Sequence, residues 1–156
     1  MFYFLIMPTN KAVKAIIFNE DNQMLILKRT PLYKRKGKIN VSKKYAHLDK
    51  TNIYDLPGGR LEINENIKLG LKREVYEETG LKIKILKKIS SWQFISLDNK
   101  KIEVTNFLCE INKNTSNKII LSEEHDNYKW VDLKNIKRYN FKDKSFFEFL
   151  KYFSKQ

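Results

Sequence analysis

The chain has 156 residues, the size of one ordinary domain, and 42% of them are hydrophobic, enough for a core. Its 31 Lys and Arg against 18 Asp and Glu leave a net charge of +13, which suits anionic partners better than cationic ones. A single cysteine, Cys109, excludes an internal disulfide, and the longest early apolar run, residues 2–7, is too short to span a bilayer.

In chain order, residues 12–18 read as a strand, Glu20-Asp21-Asn22 as a turn and residues 24–28 as a second strand, together a hairpin. Pro31 opens an irregular stretch that runs to about Asn52. From Lys28 to Lys50 there are nine Lys or Arg and one acid, Asp49. This is the pattern of a basic insertion at about 31–52 within a single domain of 1–156. It reads either as a clamp for phosphates or RNA, or as a solvated loop. Residues 53–56 form a short strand stopped by Pro57-Gly58-Gly59. Residues 65–79 read as a helix: Asn64 caps it, Ile67, Leu71 and Val75 recur every four residues, and Gly80 ends it. Two strands around 83–97 and 102–111 share a turn at Asp98-Asn99. Residues 112–127 are a polar loop, 128–131 a short strand and 145–153 an aromatic-rich final helix. Strands and helices mixed with local hairpins predict an α/β fold, a mixed sheet covered by helices.

The net charge has two sources to weigh. Lysines far outnumber the five arginines, Arg29, Arg35, Arg60, Arg73 and Arg138. An A-rich genome produces that bias without selection for binding, whereas a dedicated phosphate surface favours the planar fork of Arg. No basic segment precedes residues 2–7, so neither a membrane helix nor a signal peptide is expected, and a cytoplasmic location fits the lone thiol. Met7 offers an alternative start.

The chemistry lies in the helix at 65–79. At about 100° per residue, Glu74, Glu77 and Glu78 fall within about a 100° arc. That arc borders the Ile67, Leu71, Val75 stripe, which must face the core. Three carboxylates at the edge of a buried face repel one another, and a cation is the natural remedy. Hard oxygen ligands select Mg²⁺ or Mn²⁺. Gly70, one turn before Glu74, leaves room for a ligand or a close strand. The alternative is a solvated acidic face with Lys68 and Lys72 nearby.

The spacing decides between them. Gly59 is followed after five residues by Glu65, and seven residues later by Arg73-Glu74-Val75-Tyr76-Glu77-Glu78-Thr79-Gly80-Leu81. This resembles the Nudix box at every defining position. A chance match in such a chain is on the order of 10⁻⁷ from average composition. The neighbouring Leu56-Pro57-Gly58-Gly59-Arg60-Leu61-Glu62, the first hairpin and the late Tyr128-Lys129-Trp130-Val131 are similar to the family as well.

The resemblance implies a Nudix α/β/α sandwich around a mixed β-sheet, and hydrolysis of a nucleoside diphosphate linked to another group. It implies that Glu74, Glu77, Glu78 and the carbonyl of Gly58 hold Mg²⁺ or Mn²⁺. Arg73 would pair with Glu65 or Glu77 and fix the carboxylates. Arg29 and Arg60 would flank the site and touch phosphates; plain surface charge is their other reading. Many members carry a further acid or base in the loop that is here Ser122-Glu123-Glu124-His125-Asp126. Glu124 is the first candidate, with Glu123, His125 and Asp126 behind it. Trp92, Phe94 and Tyr54 are candidates to stack on a base, worth about 1–3 kcal/mol, or to pack in the core.

No proline follows Pro57, so the family's ADP-ribose-type proline is missing, and no NADH-cleavage motif is visible. The loop resembles that of MutT-related enzymes, which implies a (d)NTP as substrate. A nucleotide sugar, a dinucleoside polyphosphate or a capped RNA end are the alternatives within the class. Outside it stands a non-catalytic nucleotide- or RNA-binding module, whose usual mark is loss of box glutamates; none is lost here. The expected partner is a small nucleotide, with RNA second and no membrane, for a monomer or homodimer.

Overall fold

The computed structural model of the chain describes residues 10–30, 32–35, 38–41, 52–141 and 144–155, with 32–35 and 38–41 described in main chain only. The apolar run at 2–7 and the start at Met7 lie outside the described residues, as does much of the basic insertion.

The first two strands are β1 (Asn10–Phe18) and β2 (Gln23–Arg29). The turn between them is set by Asn19, whose Oδ1 accepts the N–H of Asp21 and of Gln23, and by Asn22 at φ 56°, a conformation that Asn tolerates. The strands pair only at Phe18 and Met24 and then part. Two later strands fill the fork. These are β5 (Ile53–Asp55), antiparallel to β2, and β6 (Gly58–Arg60), antiparallel to β1. Between them the Pro57 carbonyl accepts the Ala15 N–H at 2.8 Å. The glycines expected only as a turn are thus a short strand, drawn into the middle of the sheet by main-chain pairing with β1.

The sheet is completed by β7 (Ile83–Ile95), β8 (Lys101–Ile111), β9 (His125–Asp132) and β10 (Asn140–Phe141). Strand β8 runs parallel to β1 over its whole length, β7 is antiparallel to β8, β9 is antiparallel to β2, and β10 is parallel to β5. The sheet is therefore mixed. The polar loop expected at 112–127 is shorter than its composition suggests. Strand β9 begins at His125, because its main chain pairs with β2 as far as Arg29. The irregular stretch expected after Pro31 also contains order, a hairpin of β3 (Leu32–Arg35) and β4 (Lys38–Val41). Ladder hydrogen bonds override polar composition in both cases.

Helix α1 (Ile67–Thr79) lies on one face and α2 (Ser145–Ser154) on the other. Alternate residues of β1 feed the two layers. Val13, Ala15 and Ile17 pack with Leu71 and Val75 of α1, while Ile16 packs with Phe146 and Phe149 of α2. This is the expected α/β/α sandwich. Helix α1 starts two residues later than expected. Asn66, not Asn64, is its cap and accepts from Lys68 N and Leu69 N, while Asn64 adopts φ 62° just before it. Gly80 ends the helix at φ 72°, its N–H on the Tyr76 carbonyl. Among the described residues no helix is long and apolar enough to cross a membrane.

Candidate active site

The fork between β1 and β2 delivers Gly58 and Gly59 to the flank of α1, where two box carboxylates meet them. Glu78 is buried, and its Oε2 accepts the Gly58 N–H at 3.2 Å. Glu74 is buried beside Gly59: a Cβ at Gly59 would lie 2.7 Å from Glu74 Oε2. Glu77 is different, with 56% of its side chain exposed. The shared arc read from the sequence is thus split by the sheet packed across the helix. Glu74 and Glu78 sit on the sheet side with Leu71 and Val75, and Glu77 sits outside.

Arg73 gathers the outer carboxylates. Its Nε and Nη2 donate to the two oxygens of Glu65 at 2.7 and 2.8 Å, a bidentate fork. Its Nη1 donates to Glu77 Oε2 at 3.1 Å and lies 3.2 Å from Glu74 Oε1. Expected to pair with Glu65 or Glu77, it holds both. The space that Gly70 leaves is taken by Leu61, just beyond β6, and by Glu65 rather than by a ligand. A Cβ there would lie 2.2 Å from Leu61 Cδ2 and 2.9 Å from Glu65 Oε1.

Two further charges, unforeseen from the sequence, complete the site. Lys14 and Asp55 are buried, and Lys14 Nζ lies 2.9 Å from Asp55 Oδ2. The available signal was a lone Lys in the apolar run of β1. Burial pushes the Glu78 carboxyl well above the usual carboxylate range. Lys14 pulls it back, Asp55 adds to the rise, the Gly58 N–H lowers it and Glu74 raises it. Such a group gains most from a nearby cation.

Arg29 comes to the same place, its Nη1 4.0 Å from Asp55 Oδ2. Arg60 is exposed on β6 opposite Ala12. The loop before β9 is strapped down on two sides. Ser122 N donates to the Glu78 carbonyl at 3.2 Å, and Thr30 N donates to the Glu124 carbonyl at 2.9 Å. Glu124 is half-buried, Glu123 and Asp126 are exposed, and His125 is buried at the start of β9. The loop's main chain is therefore tied both to the end of α1 and to the residue after β2. Among the aromatic candidates, Tyr54 is buried edge-on against Tyr139 in the α2-side core, which removes it as a base platform. Trp92 and Phe94 are half-buried and stacked, with ring centroids 5.2 Å apart, and Trp92 Nε1 donates to Ser145 Oγ.

Among the described residues no three Asp, Glu, His or Cys side chains converge in metal-holding geometry. Arg73 draws Glu65, Glu74 and Glu77 together on one side, while the Gly58 N–H takes Glu78 on the other.

The Arg73 fork lowers the Glu65 pKa from 4.5 to about 2, against the opposing effect of burial. Because the folded-state value is the lower one, this pair stabilises the fold above pH 4.5, and its contribution fades as the pH falls toward 2. Urea unfolding of wild type and Glu65→Gln should show a stability gap that closes over that interval. A gap independent of pH would remove the pair from the account.

Residues 8–150 match the family model of the NUDIX domain. Over 117 residues the chain is 34% identical to an 8-oxo-dGTP diphosphatase from Buchnera aphidicola subsp. Schizaphis graminum, covering 75% of this chain and 79% of that one. Over 152 residues it is 25% identical to an RNA pyrophosphohydrolase from Bartonella tribocorum, covering 83% and 80%. The fold matches the crystal structure of a MutT protein from Methanosarcina mazei Go1 with a TM-score of 0.69 and 27% identity, over 94% of each chain. The family match spans the fork, the carboxylate helix and the strapped loop alike, and the chain belongs to the Nudix family of hydrolases.

Proposed function

We propose that this protein is a Mg²⁺- or Mn²⁺-dependent pyrophosphohydrolase whose substrate is a (d)NTP, released as a nucleoside monophosphate and pyrophosphate. The observation that carries the reading is the pair of buried carboxylates, Glu74 and Glu78, set against Gly58 and Gly59. Three carboxylates and a main-chain carbonyl, with no cysteine among them, are the donor chemistry of a hard divalent cation. Glu78, buried and pushed toward its neutral form, fits a site completed by such an ion. Glu74, Glu77, Glu78 and the Gly58 carbonyl would hold it, after Glu77 turns inward. The ion supplies electrostatic stabilisation of the charge that develops on the phosphate oxygens.

The chain's own residues do the rest. Arg73 holds Glu65, Glu74 and Glu77 in place. Arg29 and Arg60 bind phosphate oxygens. Glu124 accepts the proton of the attacking water; because its main chain is pinned, only the side chain has to move. Trp92 and Phe94 present a stacked, half-exposed pair for the base. All of this lies within one catalytic domain.

The substrate assignment leans on the likeness to the 8-oxo-dGTP diphosphatase. The second reading is a triphosphorylated or capped RNA end, favoured by the likeness to the RNA pyrophosphohydrolase and by the basic residues between Lys28 and Lys50. The test is a panel of dNTPs, 8-oxo-dGTP, a dinucleoside polyphosphate, a nucleotide sugar and 5′-triphosphate RNA, with products resolved by chromatography. We expect kcat/KM to be highest for a nucleoside triphosphate, and RNA to bind only weakly at physiological salt. Preferred turnover of the RNA, with affinity that falls by several log units per log unit of salt, would transfer the assignment to the RNA end.

A further inference from the structure

Lys14 and Asp55 form a buried ion pair in the floor of the fork, with 7% and 5% of their side chains exposed. Removing two charges from water costs several kcal/mol per ion, and an apolar pair of similar volume commonly serves a fold as well or better. Stability alone therefore gives little reason for the pair.

Its hydrogen bonds supply one. Lys14 Nζ donates to the Leu56 carbonyl at 3.2 Å, and Asp55 Oδ1 accepts the Leu56 N–H at 2.9 Å. The pair thus grips Leu56 by both of its main-chain polar groups. The next carbonyl, Pro57, is held by Ala15 N at 2.8 Å, and the next N–H, Gly58, is held by Glu78 at 3.2 Å. Across the β1–β6 ladder Lys14 stands opposite Gly58 itself. Three successive residues are fastened, and Lys14 and Asp55 make the first fastening. Arg29, 4.0 Å from the same Asp55 oxygen, braces it from β2.

We propose that Lys14 is a positioning residue: with Asp55 it clamps Leu56 and so fixes the Gly58 main chain beside the Glu78 carboxylate, where both serve one divalent cation. The inference rests on the metal-dependent reading above. Lys14 touches neither substrate nor ion in this role, and its effect passes through the turn.

Removing one charge of a buried pair strands the other, so the informative variant neutralises both. Lys14→Met/Asp55→Asn keeps the acceptor for the Leu56 N–H but loses the donor to its carbonyl. Asp55→Asn alone keeps both bonds to Leu56 but removes the charge opposite Lys14, so it should melt below wild type while leaving the clamp in place. Three quantities are measured for each: thermal melting, Mn²⁺ binding without substrate by electron paramagnetic resonance, and kcat and KM separately. The double variant should melt as a folded protein, bind Mn²⁺ about tenfold more weakly and lose kcat with KM little changed. Asp55→Asn should bind Mn²⁺ close to wild type. A double variant that binds Mn²⁺ like wild type, or that does not fold, overturns the proposal. So does an Asp55→Asn that loses as much binding as the double. Wild-type protein that binds no Mn²⁺ would overturn the metal reading itself, and is told apart because the variants would then match it.

Discussion

Replacing Glu78 or Glu74 with Gln should lower turnover by at least about a hundredfold while the protein still folds. Both side chains are buried, and Gln has the same shape. In Glu78→Gln the amide oxygen would still accept the Gly58 N–H, so the local structure survives. Burial opposes charge on Glu78, and removing that charge should leave melting in the presence of chelator unchanged or slightly raised. The loss in rate then reports chemistry rather than unfolding. Glu124→Gln separates the two roles assigned to carboxylates. It should lose much of the rate with little change in metal affinity, whereas Glu74→Gln should lose both. If Glu124→Gln keeps its rate and His125→Ala loses the basic limb of the pH profile, the proton acceptor is His125.

The adjacent glycines Gly58 and Gly59 should fail in different ways. At Gly58 a Cβ would lie 2.0 Å from the Val13 carbonyl oxygen, and φ is 136°, a conformation that side chains resist. Neither obstacle is a flexible group, since the strand itself would have to move. Gly58→Ala should therefore cost roughly 3 kcal/mol or more, a fall in Tm of about 10 °C. At Gly59 the nearest atom is the far end of Glu74, 2.7 Å away. The carboxylate can yield, so Gly59→Ala should fold with a Tm within a few degrees of wild type. Displacing Glu74 by about 1 Å should nonetheless cost about a hundredfold in rate. Calorimetry and turnover on the same samples decide the matter. A Gly59→Ala that is as active as wild type would detach Glu74 from the reaction.

The difference between these glycines marks the limit of what the sequence can say. The helix was legible because the core stripe of Leu71 and Val75 and the cap at Gly80 are local patterns, and the carboxylates keep a fixed spacing on it. Which carboxylates are buried was not legible, because that depends on the sheet laid across the helix; Glu77 faces out while Glu74 and Glu78 face in. The start of the helix slipped from Asn64 to Asn66 because both are Asn, and only main-chain geometry chooses between a cap and a left-handed turn. The short strand at Gly58–Arg60, the extension of β9 to His125 and the hairpin of β3 and β4 exist through long-range pairing with little local signal. Lys14 and Asp55 are 41 residues apart, and nothing in either neighbourhood names the other. Of the two roles open to Tyr54, base stacking and core packing, the fold commits it to the core against Tyr139.

The most direct test of the central claim is turnover of a nucleoside triphosphate by the metal-stripped protein, first with excess chelator and then with Mg²⁺ or Mn²⁺ restored. The carboxylate site predicts no turnover in chelator and full recovery with either ion, yielding nucleoside monophosphate and pyrophosphate. Undiminished turnover in excess chelator would contradict it.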